Sequence, residues 1–475
     1  MKDLELDKTK HSKLTFLSFS SYDFASYFVG AAQFLFLFFY YEAIIGLNAW
    51  LISLSLALAF IWDALNNPLI GYLTDRNTRF TKKWGKRLPW ILIGILPWLF
   101  FVFLIYLPPD VDPNTMSGAW ILSGWLAITL SLADTFESLI YVNQGHLRAD
   151  KFRSESERRT LAAYSTPISI ISRVLGMLIP PLIISIQVGK EGFVFMALFI
   201  CIIGLIACLL FIPGAKEEKA VIERYNTDEP KEMGFFEALK KSLMFRSFIV
   251  FIVGYTAFVV ATEMLTMNVI YIGIYVLRED PSITTLILGF FLLGAIISVP
   301  FWVKLSRKID SNKKTITIGG FCLAFALIPL TFFQTIYDLL IFTFILGFSI
   351  GCWWALFFPV IQTNVIDDFK VKTKMNQKGI LIGLTTFISR LTATLTVVLF
   401  ALVHDLTGFV PGYDTYEGLA SAVEDINLVL WGIRLLMGVI PMIIVLTATI
   451  IFWKFYPLSQ DVVKKNKIKL EELGI

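Results

Sequence analysis

The sequence predicts an all-α integral membrane protein of twelve transmembrane helices arranged as two six-helix halves. Three observations lead there. The chain is 56% hydrophobic and only 16% charged over 475 residues, whereas soluble domains carry about 25% charge. Apolar runs long enough to span a bilayer, ~20 residues, recur along the chain. One long charged segment divides them into six and six.

The first half covers 18–213, with runs near 18–45, 49–73, 88–107, 118–145, 160–187 and 193–213. The second covers 247–456, with runs near 247–277, 283–303, 315–333, 338–366, 379–404 and 429–456. Residues 1–17 are charged and lack the apolar core of a cleavable signal, so they read as a cytoplasmic tail. Residues 457–475 read as a second tail. The connector 214–246 is charged, and Phe235 to Phe245 has the pattern of an amphipathic helix lying on the membrane surface. Most of the 41 Lys and Arg fall in the tails and in the loops after helices 2, 4, 6, 8 and 10. The loops on the opposite side hold Lys190 and Arg278. The positive-inside rule then places both termini in the cytoplasm.

The halves echo each other. Pro68-Leu-Ile-Gly-Tyr-Leu-Thr-Asp-Arg76 ends helix 2, and Pro300-Phe-Trp-Val-Lys-Leu-Ser-Arg-Lys308 ends helix 8. Proline, leucine and a basic residue stand in register. Ile171-Ser-Arg173 in helix 5 recurs as Ile388-Ser-Arg390 in helix 11. Helices 2 and 8, and 5 and 11, would be symmetry mates of a six-plus-six carrier with a central site.

Charges inside membrane-length helices are expensive, and by default they mark function. A rise of 1.5 Å per residue puts Asp134 ~20 Å above the cytoplasmic end of helix 4, and Arg173 ~21 Å into helix 5. Glu137 shares the helix face of Asp134. Asp63 and Arg390 each lie ~17 Å deep, in helices 2 and 11, and are expected to form a charge pair. Asp134, Glu137 and Arg173 either bind substrate or proton, or form an ion-pair network that only joins helices. Asp23 either faces a cavity or caps helix 1. Glu263 in helix 7 is ambiguous, and Arg434 is expected to snorkel. Trp353 and Trp354 are packing residues or a platform for the apolar face of a sugar.

No phosphate-binding glycine loop and no metal-ligand cluster appears in the sequence. The four cysteines, Cys201, Cys208, Cys322 and Cys352, sit in apolar runs without metal spacing, and a disulfide framework is not expected. The chain therefore reads as a transporter rather than an enzyme. No cofactor, nucleic acid or obligate protein partner is implied.

Several stretches resemble the glycoside–pentoside–hexuronide cation symporters, the melibiose-permease branch of the major facilitator superfamily. They include Tyr22-Asp-Phe-Ala-Ser26, Trp62-Asp-Ala-Leu-Asn-Asn-Pro68 with Gly71 and Asp75, and Gly85-Lys-Arg-Leu-Pro-Trp90. They continue with Asn364-Val-Ile-Asp367, Asp405-Leu-Thr-Gly-Phe-Val-Pro-Gly412 and Gly432-Ile-Arg-Leu-Leu-Met-Gly438. The resemblance runs from helix 1 to the C-terminal tail, and it implies the major facilitator fold with its two pseudo-two-fold-related halves.

It also implies a cation site in helix 2 made by two aspartates four residues apart. Asp63 matches the first, but the second is Asn67 here. A basic residue in helix 11, usually lysine in the family, is matched by Arg390. Asp63 and Arg390 sum to zero charge, so the site does not need a cation: Na⁺ coupling is doubtful and H⁺ coupling possible. The family's sugar-contacting positions late in helix 4 and early in helix 5 fall on Tyr141 and Thr166. Its helix 1 aspartate falls on Asp23, or, by the melibiose-permease alignment, on Tyr27. The superfamily's Gly-x-x-x-Asp-Arg gating motif is matched by Gly71, Asp75 and Arg76.

Together these observations predict a cell-membrane transporter of a polar small organic solute, a sugar or glycoside, working by alternating access. It would be a uniporter or proton-coupled rather than obligatorily sodium-coupled. Asp23, Asp134, Glu137, Arg173, Trp354 and Arg390 are the expected substrate residues. Asp63 and Asn67 are the expected cation or proton site. Lysolipid transport, known in an animal branch of the same superfamily region, is the alternative. A non-transporting membrane sensor or scaffold is the alternative of another class.

Overall fold

The structure is a computed structural model that describes residues 11–74, 85–187, 189–217, 245–373 and 378–473. Among them, 12 helices are long and apolar enough to cross a membrane. In chain order these are α1 (Lys13–Ile44), α2 (Ala49–Thr74), α3 (Leu88–Ile105), α4 (Met116–Lys151), α5 (Glu155–Ile186) and α6 (Lys190–Ala215). After the charged connector come α7 (Arg246–Val276), α8 (Ile283–Ile309), α9 (Asn312–Phe332), α10 (Ile336–Thr373), α11 (Lys378–Thr407) and α12 (Ile426–Phe455). Asp75, Arg76 and the segment expected as a surface helix up to residue 244 lie outside the described residues.

Several helices overrun the apolar runs that revealed them. Helix α4 continues to Lys151, and α5 already begins at Glu155. Hydropathy reports the thickness of hydrocarbon, whereas a helix persists into the polar zone as long as its backbone is capped. The caps are explicit. The hydroxyls of Ser12, Thr115 and Ser154 accept the N–H of the third residue of α1, α4 and α5, and Thr335 with Asp338 forms a capping box on α10.

Helix α3 is capped from a distance. The Glu217 carboxylate accepts the backbone N–H groups of Lys86, Arg87 and Leu88 at 3.1, 2.7 and 3.0 Å. The negative charge sits where the helix dipole favours it. Gly85, at φ +88°, supplies the left-handed turn that lets the loop fold onto this carboxylate. Lys151 Nζ fastens the same strand of chain by donating to the carbonyls of Gly214 and Lys216, at 2.8 and 2.9 Å.

The chain divides into two compact units, the first containing α1–α6 and the second α7–α12. In the first, α1 packs on α5 and α6, and α4 packs on α2 and α3. In the second, α7 packs on α11 and α12, and α10 packs on α8 and α9. The same pairs recur in each half. So does a local detail: α1 and α7 both finish in a five-residue π-turn, Tyr40–Ile44 and Ile272–Val276. A longer π-segment, Trp353–Ile361, interrupts α10. Widened turns of this kind concentrate at functional positions.

Small residues set the close helix crossings, as is usual where lipid removes the hydrophobic drive for helix association. A Cβ at Gly294 or Gly347 would strike the backbone carbonyl of Phe344 or Phe291 across the α8–α10 seam. In the first unit a Cβ at Gly176 of α5 would lie 2.5 Å from the Phe28 carbonyl of α1.

The C-terminal tail is not irregular. Its helix Gln460–Leu473 packs on the end of α10, where Asn466 Nδ2 donates to the buried Asp368 at 3.2 Å. Asp368 also accepts from Ser247 and Lys372, each at 2.6 Å. Beside it, burial raises the Tyr456 phenol well above its usual range, with the Asp368 charge as the second cause.

Two stability measurements follow from this packing. Gly347→Ala places a methyl against backbone that cannot move aside, and should lower stability in detergent by about 1–3 kcal/mol. Gly124→Ala is the control, since a Cβ there meets nothing within 4 Å and the substitution should be neutral or stabilising. Glu217→Ala strips three N–H groups of their shared acceptor and should cost about 1–2 kcal/mol by thermal unfolding, with Glu217→Gln in between.

Candidate functional site

In the first unit the polar residues of α2 and α4 meet along one seam. Asp63 is buried, 4% exposed, and Asn67 Nδ2 donates to its Oδ1 at 2.8 Å and to its carbonyl at 3.3 Å. The residue that replaces the second family aspartate is thus a hydrogen-bond donor to the first. The Asn67 side-chain amide oxygen, Oδ1, is buried and accepts no hydrogen bond among the described residues. An acceptor in that position is satisfied by a water or a small cation.

One residue earlier, Asn66 does different work. A step of one residue rotates the side chain by about 100°, so Asn66 leaves its own helix and donates to Asp134 Oδ2 of α4 at 3.1 Å. A turn away, Trp62 Nε1 donates to Thr135 Oγ1 at 2.8 Å. Further along the same seam Ser55 and Ser123 pair through their hydroxyls at 2.8 Å. Asn66 and Thr135 are site residues that sequence reasoning missed. The available signal was the doubled amide in Asn66-Asn67.

Helix α1 supplies the next contacts. Ser26 Oγ donates to Glu137 Oε1 at 2.6 Å. Asp23 accepts from Arg148 Nη2 of α4 at 2.9 Å, and Gln144 Nε2 lies 3.5 Å away. Asp23 therefore neither caps its helix, a role taken by Ser12, nor stands without a cation.

The expected grouping of Asp134, Glu137 and Arg173 is not assembled. Helices α4 and α5 are consecutive in the chain, but α5 packs on α1 and α6. Arg173 is exposed and lies over the ring of Tyr27 of α1, with its guanidinium carbon 5.0 Å from the ring centroid. Its helix shows a polar stripe of Thr166, Ser169 and Arg173 at i, i+3 and i+7. Ile171 and Leu182 lie on the far side of the same helix, both exposed. A charge at mid-span that is exposed from the protein does not face hydrocarbon. The polar stripe suits a water-facing edge of α5, and the apolar one suits lipid.

In the second unit Arg390 is half-buried on α11. Glu263 of α7 lies within electrostatic reach of Arg390 and beside Thr396, and its Oε2 is buried without a hydrogen-bond donor. Thr392 and Thr256 also meet across these two helices, at 3.4 Å. Of the two tryptophans, Trp353 is buried against Phe258 and Phe357, with ring centroids 5.3 and 4.5 Å away. Trp354, 36% exposed, is the one with a free face. Gly71 lies on α2 with room for a side chain, its nearest neighbour being Val142 at 3.9 Å from a built Cβ. Among the described residues no group of three or more His, Cys, Asp or Glu side chains could hold a metal ion.

Known proteins share this sequence pattern and fold. A family model described as MFS/sugar transport protein matches residues 18–460. The chain is 24% identical to the sodium-dependent lysophosphatidylcholine symporter 1 of Gallus gallus, over 94% of this chain and 86% of that protein. It is 22% identical to the glucuronide carrier protein homolog of Escherichia coli strain K12, over 96% of this chain and 95% of that protein. A solved structure of a bacterial homologue of the human lysosomal transporter Spinster superposes with a TM-score of 0.64 at 12% identity, covering 96% of this chain and 99% of that one. With its twelve membrane-length helices, its paired halves and this family match, the chain belongs to the MFS/sugar transport protein family of the major facilitator superfamily, in the glycoside–pentoside–hexuronide branch, and is a secondary transporter rather than an enzyme.

Proposed function

We propose that the protein moves a polar small organic solute, a sugar or glycoside, across the cell membrane by alternating access, with both termini in the cytoplasm. The observation that supports this reading most is the run of carboxylate, amide and hydroxyl pairs near mid-span in the first unit. Asp134, Glu137 and Ser26 remain half-exposed there, while Asn66, which donates to Asp134, is buried. A polyhydroxylated solute needs convergent donors and acceptors of this kind, and in the second unit Trp354 has an exposed apolar face of the sort that stacks on a sugar. In this reading Asp23, paired with Arg148, orients α1 and α4 around the site, and Gly71 with Asp75 and Arg76 serves the gate.

A second reading has a specific support. The similarity to a lysophosphatidylcholine symporter extends over 94% of the chain. Glucuronides and lysophosphatidylcholine share little except an oxyanion on an organic body. Uptake into proteoliposomes of radiolabelled glycosides against labelled lysolipid separates the two. Glycoside accumulation at a rate well above protein-free vesicles supports the sugar reading, and lysolipid uptake alone replaces it.

Transport, in our reading, runs as uniport or with protons and does not require sodium. Asn67 offers an amide oxygen but no charge. Asp63 alone supplies a negative charge on α2, and a cation held there must also give up hydration. The chicken relative carries sodium dependence in its name, so the measurement is decisive. Uptake should be unchanged within about twofold when Na⁺ replaces choline, and should either ignore both gradients or follow ΔpH alone. Asn67→Asp restores the missing carboxylate and should create Na⁺ stimulation. Sodium-driven accumulation by the unmodified protein would refute the proposal. In the same assay Asp75→Ala should lower turnover while leaving substrate affinity within a few-fold; a large loss of affinity at normal turnover contradicts its gating role.

A further inference from the structure

We propose that Arg173 and Tyr27 form an oxyanion-recognition site on the water-facing edge of the first unit, and that the transported solute carries a carboxylate or phosphate there. The site rests on the transport reading above and narrows its substrate class.

The guanidinium of Arg173 is unusual in its surroundings. Arg148 has the carboxylate of Asp23 at 2.9 Å. Arg434 donates to the carbonyls of Thr331 and Phe333 at 3.2 and 2.8 Å. Arg173 is exposed at mid-span, and among the described residues its recorded partner is the Tyr27 ring at 5.0 Å. No described carboxylate comes within 4.0 Å of it. The acids of α4 have hydrogen-bond partners on other helices: Asp134 accepts from Asn66 at 3.1 Å, and Glu137 from Ser26 at 2.6 Å.

The geometry suits an anion. An aromatic ring covers the face of a guanidinium and leaves its in-plane N–H groups free. Those N–H groups form a rigid fork that matches the two oxygens of a carboxylate or phosphate. The Tyr27 ring, its centroid 5.0 Å from the guanidinium carbon, contacts Arg173 without consuming a donor. The stacking is fixed from below, because Gly176 lets α5 approach the Phe28 carbonyl of α1 one turn from Arg173. Room for the rest of a ligand lies on the same side of α1. Gly30 is exposed three residues beyond Tyr27, and a Cβ built there meets nothing within 4 Å.

The test compares matched ligands on the purified full chain. Phenyl β-glucuronide and phenyl β-glucoside differ only in the carboxylate. Lysophosphatidylcholine and a monoacylglycerol of the same chain length differ in the phosphocholine group. Binding is read by displacement or thermal shift for the unmodified protein, Arg173→Gln and Arg173→Lys. The oxyanion-bearing member of at least one pair should bind about tenfold or more tightly than the partner that lacks it. That ratio should collapse to about one in Arg173→Gln and recover only partly in Arg173→Lys, which lacks the fork. The unliganded thermal midpoint of Arg173→Gln should stay within about 2 °C, because no ion pair is broken, whereas a structural clamp would lower it. A ratio lost for the lysolipid pair alone supports the oxyanion site while replacing the sugar reading. Equal affinity for glucuronide and glucoside in the unmodified protein, with neither lysolipid preferred, overturns the site and leaves the sugar reading standing. No binding of either anionic probe at millimolar concentration also overturns the site.

Discussion

A charge within a membrane span has to be paired, hydrogen-bonded or turned toward water, and the polar chemistry of both units follows from that constraint. Asp63 meets it with an amide on its own helix, Asp134 with an amide on the next helix, and Asp23 with an arginine on α4. Each solution also ties one helix to another or stiffens a turn. The same groups that could contact a solute therefore hold α1, α2 and α4 in register. Arg173 meets the constraint differently, by exposure and by the face of Tyr27.

Backbone packing joins other seams. Where Gly176 meets the Phe28 carbonyl, and where Gly294 and Gly347 meet the carbonyls of α10 and α8, the helices touch without intervening side chains. On the α1–α4 and α2–α4 seams the short hydroxyls of Ser26, Ser55 and Ser123 make the contacts instead. In the first unit Glu217 and Lys151 fasten the start of the connector to α3, α4 and α6. In the second, Asp368 gathers α7, α10 and the C-terminal helix.

The twelve spans and their two groups of six were legible because they depend on local composition and on the placement of Lys and Arg. Partners were not. Asp23 and Arg148 are 125 residues apart, and nothing in either neighbourhood announces the other. Arg173 was expected beside Asp134 because α4 and α5 adjoin in the chain, but sequence order does not determine which helices pack together. The π-turns at Tyr40–Ile44, Ile272–Val276 and Trp353–Ile361 were invisible, since one extra residue per turn hardly alters a hydropathy profile. The role of Asn66 was hidden beside the more conspicuous Asn67.

The central claim is that the charged and hydroxylated edge of the first unit faces water and lines the path of the solute. Single cysteines in a background lacking Cys201, Cys208, Cys322 and Cys352 test it directly with a membrane-impermeant, charged thiol reagent. Cysteine at Thr166 or Ser169 should react readily and be protected by transported solute, whereas cysteine at Ile171 or Leu182, on the opposite side of the same helix, should stay unmodified. Rapid labelling at Ile171 and Leu182, with Thr166 and Ser169 inert, would contradict the account.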